Sequence, residues 1–155
     1  MNEGLIKNFN SVVKPCDTTY ILGDFAMKGT YENLVFLMGR LNSKKHYILG
    51  NHCKEKYFIQ MVNEDILSSC NEVLGMSING QYIWMSHYSH RVWNLSHHGS
   101  WHIYGHSHGS LPPIGLSWDV GVDNNNYFPI SFDQLSGIMK KQNDKIKALE
   151  HGVYI

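Results

Sequence analysis

A chain of 155 residues, 43% hydrophobic and 17% charged, is long enough for one domain with its own core and has an ordinary globular balance. Thirteen basic residues offset thirteen acidic ones, so no net field draws the chain to nucleic acid or to an anionic membrane. There is no charged-then-apolar leader and no apolar run of bilayer length, which predicts one soluble cytoplasmic domain over 1–155.

Residues 4–13 carry Leu5, Phe9, Val12 and Val13 at helical spacing, and Pro15 stops that helix. Thr18–Gly23 follows as a strand whose unbroken apolar character predicts burial on both faces. Thr30 can cap a second helix in which Leu34, Leu37, Met38 and Leu41 form a core-facing stripe. His46–Gly50 is the next strand, so strand, helix and strand make a right-handed βαβ unit with both strand ends on one edge. Residues 53–72 read as polar and helical.

Val73–Ile78 and Gln81–Ser86 flank Asn79-Gly80, a strong hairpin signal. Residues 88–100 hold His90, Arg91, Trp93, His97 and His98 in a loop over the site. Trp101–Tyr104 and Leu116–Val122 are two further strands, separated by a turn at Pro112-Pro113. Ser131-Phe132-Asp133-Gln134 is a capping box opening a last helix. From Lys140 on the chain is charged, and loose packing is expected there.

Four of these strands end alike. Tyr20-Ile21-Leu22-Gly23 reaches Asp24, and Tyr47-Ile48-Leu49-Gly50 reaches Asn51-His52. Ile83-Trp84-Met85-Ser86 reaches His87, and Trp101-His102-Ile103-Tyr104-Gly105 reaches His106-Ser107-His108. In open α/β sheets ligands bind outside the carboxyl ends of the strands. Taken singly, Asp24 is a plausible helix cap, Asn51 a turn residue and His87 a core histidine. Four metal-competent endings at four strand ends describe one site instead. Carboxylate, amide oxygen and imidazole without thiolate suit Mn²⁺, Fe²⁺, Zn²⁺, Ni²⁺ or Co²⁺. Cys16, Cys53 and Cys70 lack Cys-x-x-Cys spacing and read as free thiols in a reducing compartment.

Gly23-Asp24, Gly50-Asn51-His52, His87 and Gly105-His106-Ser107-His108 resemble, in order, the motifs of the calcineurin-like metallophosphoesterases, in particular the small single-domain enzymes of bacteria and their phages. The resemblance runs from residue 18 to about residue 125. It implies an α/β fold, an αββα sandwich of two mixed sheets with metals at one edge, and hydrolysis of a phosphomonoester or phosphodiester by metal-activated water. By the resemblance Asp24 bridges two metals. Asn51, His87 and His106 complete one site, His108 belongs to the other, and His52 is catalytic. Arg91, His97, His98 and Asn124 are candidates to line the substrate pocket.

Two departures from the family pattern bear on activity. The family usually places an acid after Gly-Asn-His to orient the histidine, where this chain has Cys53. The opening Asp-x-His motif and its strand are absent. Asp17 cannot replace it, since it precedes the strand ending at Asp24 by roughly 20 Å at 3.3 Å per residue. The expectation is therefore one intact metal site and one incomplete, in a domain lacking the family's first strand. Met1 then reads as internal to a longer product, or as the start of a truncated protein that self-associates through an open sheet edge. The alternative function is a catalytically impaired module that binds metal or phosphate.

Overall fold

The structure, a computed structural model, describes residues 2–26 and 29–150. It is mixed α/β, with a three-stranded and a four-stranded sheet and four helices.

The first sheet is built from α1 (Asn2–Val12), β1 (Thr18–Leu22), α2 (Tyr31–Gly39), β2 (Lys44–Ile48), α3 (Glu55–Asn63) and β3 (Ser69–Asn71), with strand order β1-β2-β3 and all pairs parallel. Thr30 caps α2 as its sequence predicts, the hydroxyl accepting from the Asn33 N–H at 3.4 Å. Ile6 of α1, Leu34 and Met38 of α2, Leu41, and Phe58 and Met61 of α3 converge on Tyr47 to form one core on the outer face of this sheet. Thr18 pairs with Lys44 and Leu22 with Ile48, so β1 and β2 stop at the same level. That register brings Asp24 and the 49–52 segment to one edge.

The second sheet has order β4-β5-β6-β7, made of β4 (Val73–Ile78), β5 (Gln81–Ser86), β6 (Trp101–Tyr104) and β7 (Ser117–Asp119). Asn79 and Gly80 turn the β4–β5 hairpin with φ of 50° and 82°, the left-handed pair of a type I′ turn. β6 runs parallel to β5, with Met85 opposite Ile103. The Gly105 N–H continues the ladder onto the His87 carbonyl at 3.1 Å. His87 and His106 therefore leave the second sheet side by side. Helix α4 (Phe132–Glu150) opens with a reciprocal capping box. The Ser131 N–H donates to Gln134 Oε1 at 2.8 Å and the Gln134 N–H to Ser131 Oγ at 3.2 Å. Leu22 and Ile48 join Ile83, Met85, Trp101 and Ile103 in a second core, to which α4 adds Leu135 and Met139. This core ties the two sheets together.

Four expectations change. The first sheet is wholly parallel rather than mixed. Residues 53–72 contain β3 as well as a helix. Its three residues are too few for a period to show, and pairing with β2 rather than local propensity makes them a strand. Helix α4 continues well past Lys140, and the Gln142 amide donates to the Ser117 carbonyl at 2.7 Å, so the charged stretch is docked rather than loose. Residues 151–155 of that stretch lie outside the described residues. β1 grades from exposed at Thr18 to buried at Leu22 and is not enclosed on both faces. Among the described residues it pairs with β2 alone.

The outer face of the second sheet is covered by the 88–100 loop. Trp93 lies 5.3 Å from the His102 ring, and the Trp93 indole N–H reaches Ser100 Oγ at 3.0 Å. His102 is fully buried. Its Nδ1–H donates to the Trp84 carbonyl at 3.1 Å and its Nε2 accepts from the His90 N–H at 2.9 Å, so the neutral ring is fully partnered. Burial first, against a partly offsetting backbone bond to Trp84, lowers its pKa from 6.5 to about 4. Between these values the unfolded chain binds a proton that the folded one does not. Stability is then full above about pH 6.5 and falls as pH drops towards 4, by about 3 kcal/mol in total. Urea midpoints at pH 7 and 4.5 should show this loss, and His102→Gln should flatten it. An equal slope in both proteins would mean that other groups carry it.

Candidate metal centre

The side chains at the four strand ends meet. Ligand atoms of Asp24, His87 and His106 all lie within 4.8 Å of one another. His87 sits at the bottom with its side chain 2% exposed. Its Nδ1–H donates to the Leu22 carbonyl at 2.8 Å, which leaves Nε2 as a lone pair. That lone pair faces Asn51 Oδ1 at 2.9 Å and Asp24 Oδ2 at 3.3 Å. With the His87 ring neutral, these three electron-rich atoms repel one another, and a cation among them reverses the sign. His106 packs edge-on to His87 at 4.9 Å, with Tyr88 at 4.8 Å from His106 closing the cluster. The donor set, one carboxylate, two imidazoles and an amide oxygen, fits a divalent ion of the Mn²⁺ to Zn²⁺ range. The backbone carbonyl on His87 Nδ1 is the outer-shell partner that such ligands ordinarily carry.

Backbone strain gathers here too. Asp24, His106 and His108 hold left-handed φ of 48°, 61° and 48°. Such conformations in residues with a side chain cost on the order of 1–3 kcal/mol each and concentrate at functional sites. The glycines that follow β1 and β2 at the site, Gly23 and Gly50, are required by packing. Gly23 has φ of 87°, and a Cβ there would collide with the His87 ring and lie 2.9 Å from the Gly50 Cα. A Cβ on Gly50 would collide with the Asp24 carboxylate. Gly23→Ala should accordingly lower stability on the order of 3 kcal/mol, from backbone strain and overpacking together. A urea midpoint shifted by less than about 0.5 kcal/mol, the range of surface substitutions, would mean that the strand ends are loosely packed.

His108 and His52 stand apart from the cluster. The His108 side chain is 79% exposed and its Nδ1 meets the Asp123 carboxylate, whose hydrogen bond and charge raise the imidazole pKa above its ordinary value. His52 is exposed, and its backbone N–H donates to Asp24 Oδ1 at 3.1 Å, while the residue borders a separate pocket with Cys53, Lys54 and Tyr57. Cys53 does not orient it. Cys53 Sγ accepts from the Gly50 N–H at 3.3 Å and contacts the Tyr47 hydroxyl at 3.1 Å, so it braces the 50–53 turn. Burial, then the neighbouring Cys53, drives the Tyr47 pKa far up and keeps that hydroxyl protonated.

Arg91, His97 and His98 are exposed on the 88–100 loop, with the rings of His97 and His98 4.1 Å apart. Asn124 packs over Gly109. None of these four lines the cleft of about 360 Å³ that opens beside the cluster, whose walls include Asn51, Glu72, His87, Tyr88 and His90. The sequence reading placed His90 in the loop over the site and missed Glu72 in this role. Glu72 ended the stretch read as a polar helix, whereas it lies between β3 and β4.

Fold and site together define a mixed α/β protein with a candidate metal centre at the carboxyl ends of its strands. No family model matches the chain. It is 30% identical to the uncharacterized protein MJ1445 of Methanocaldococcus jannaschii over 151 residues, spanning 91% of this chain and 76% of that protein. The chain belongs to the same family as MJ1445. Its fold is similar to that in the crystal structure of the protein of unknown function AQ665 from Aquifex aeolicus, with a TM-score of 0.67 and 22% identity, covering 88% of this chain and 84% of that one.

Proposed function

We propose that the chain is a metal-dependent phosphoesterase of the calcineurin-like metallophosphoesterase type, acting on a phosphomonoester or phosphodiester in the cytoplasm. The observation that carries this reading is the convergence of His87 Nε2 on Asn51 Oδ1 and Asp24 Oδ2 at 2.9 and 3.3 Å, with a ligand atom of His106 within 4.8 Å of those of His87 and Asp24. A divalent ion such as Mn²⁺, Fe²⁺, Ni²⁺ or Zn²⁺, when bound there, supplies Lewis-acid polarisation of a phosphoryl oxygen and activation of water. Asp24, Asn51, His87 and His106 hold it. The Leu22 carbonyl fixes the His87 tautomer, and the buried base of the site limits access of bulk water to that side. The imidazole of His52, whose backbone N–H donates to Asp24 and whose side chain is exposed, delivers a proton to the leaving oxygen.

A second reading, a module that binds metal without turnover, draws on a specific observation. Among the described residues one group of three His, Cys, Asp or Glu converges, and His108 is turned to Asp123 rather than joined to it. The test is metal content after dialysis with turnover measured on the same sample, using an aryl phosphate monoester and a diester with Mn²⁺. One tightly held ion per chain with turnover supports the phosphoesterase. The same ion without turnover supports the module. Two tightly held ions would mean that a ligand beyond Asp24 and His108 serves the second site.

A further inference from the structure

The turn that carries His106 and His108 is braced by the segment after β7. Asp119, 7% exposed, takes the Ser107 hydroxyl at 2.5 Å and the Gly109 N–H at 3.0 Å on Oδ2, and the Gly121 N–H at 2.9 Å on Oδ1. Asn124 closes over Gly109, where a Cβ would lie 2.5 Å from the amide oxygen. Asp123 packs against Gly121, where a Cβ would lie 2.6 Å from its Oδ1. The backbone on both sides of the His108–Asp123 contact is thus fixed before the two side chains meet.

We propose that Asp123 is a positioning residue: by accepting from His108 Nδ1–H it holds the imidazole of His108 so that Nε2 is the nitrogen presented for a cation shared with Asp24. This inference rests on the metal-dependent reading above. The pair is not explained by stability. With side chains 79% and 36% exposed, its contribution is screened and falls in the range of about 0–1 kcal/mol. Its geometry has a use that stability does not. A free histidine ring in water favours the proton on Nε2, the nitrogen a cation would need bare. A carboxylate on Nδ1 reverses that choice, and loss of such a partner ordinarily lowers metal affinity about 10–100-fold. Three groups act on one loop: Asp119 sets the backbone, Gly109 permits the approach, and Asp123 sets the ring.

Two readouts on the full chain test this, with Asp123→Ala, Asp123→Asn, His108→Ala and the double Asp123→Ala/His108→Ala. The first needs no metal. Imidazole ¹⁵N shifts of the metal-free protein at about pH 9.5, where the rings are neutral, should show His108 with its proton on Nδ1. In Asp123→Ala the proton should move to Nε2, while Asp123→Asn, whose Oδ1 still accepts, should retain the wild-type tautomer. The second is a Co²⁺ titration followed by visible absorption. The weaker binding component, identified by its loss in His108→Ala, should weaken about 10–100-fold in Asp123→Ala, with the tighter component unchanged. The double variant should be no weaker than His108→Ala, because both act on one ring. An unchanged tautomer in Asp123→Ala overturns the proposal. So does an equal loss of both Co²⁺ components together with a lowered urea midpoint, which would make Asp123 a structural residue. Wild-type protein that takes up no Co²⁺ while the tautomer responds as expected would sink the phosphoesterase reading and support the assignment of the ring.

Discussion

Replacing His87 with alanine should abolish tight metal binding, and replacing His108 should not. His87 is the ligand with the least freedom, since its side chain is 2% exposed and its Nδ1 is held by the Leu22 carbonyl at 2.8 Å. Its Nε2 therefore needs no reorganisation to bind, and its loss removes one of four ligands at the intact cluster. The effect should exceed the 10–100-fold that loss of an outer-shell partner costs. His108 is exposed and turned to Asp123, so alanine there touches only the depleted second position. Calorimetric titration of Mn²⁺ into the two variants checks this. His87→Ala also leaves a cavity and an unpartnered Leu22 carbonyl, so stability should fall by about 1–3 kcal/mol for the lost bond, read from urea midpoints in EDTA. Equal losses of affinity in the two variants would contradict the ligand assignment.

How far the sequence foretold this site depends on the range of the interactions involved. The four strand endings, the Asn79-Gly80 hairpin and the Ser131–Gln134 capping box were legible because each is set by neighbours a few residues apart. Alternation and spacing in the chain encode them directly. The convergence of Asp24, Asn51, His87 and His106 was legible one step removed. Parallel pairing of β1 with β2, and of β5 with β6, levels their ends, and the endings were chemically alike. What was not legible is carried by contacts across the chain. Asp123 reaches His108 over fifteen residues, Cys53 is claimed by Tyr47 from the other side of a turn, and His102 is neutralised by burial under a loop. In sequence, His102 stands in the same run as His106. Its place on the opposite face of β6 from Trp101 and Ile103 sends it to the outer core. Cys53 looked like a defective orienting acid because the family pattern assigns that position a partner in His52. Here it serves the turn.

His52→Ala should cost on the order of 10²–10⁴ in turnover while leaving metal content unchanged, the range usual for loss of a general acid or base. The two effects separate because His52 contributes to the site in two ways. Its backbone N–H donates to Asp24 Oδ1 at 3.1 Å, and an alanine keeps that bond. Its imidazole is exposed, and an alanine removes it. Asp24 therefore stays in place, and the loss falls on proton delivery alone. The size of the loss should depend on the leaving group. A nitrophenolate departs with little help, whereas an alkoxide needs a proton as the bond to phosphorus breaks. The variant should then lose more activity on an alkyl phosphate than on a nitrophenyl phosphate. Steady-state rates on both substrates, with metal measured on the same samples, decide the matter. A variant that loses metal along with activity would make His52 part of the cation's support. One that loses both substrates equally would make it a binding group and leave the proton donor to be found elsewhere.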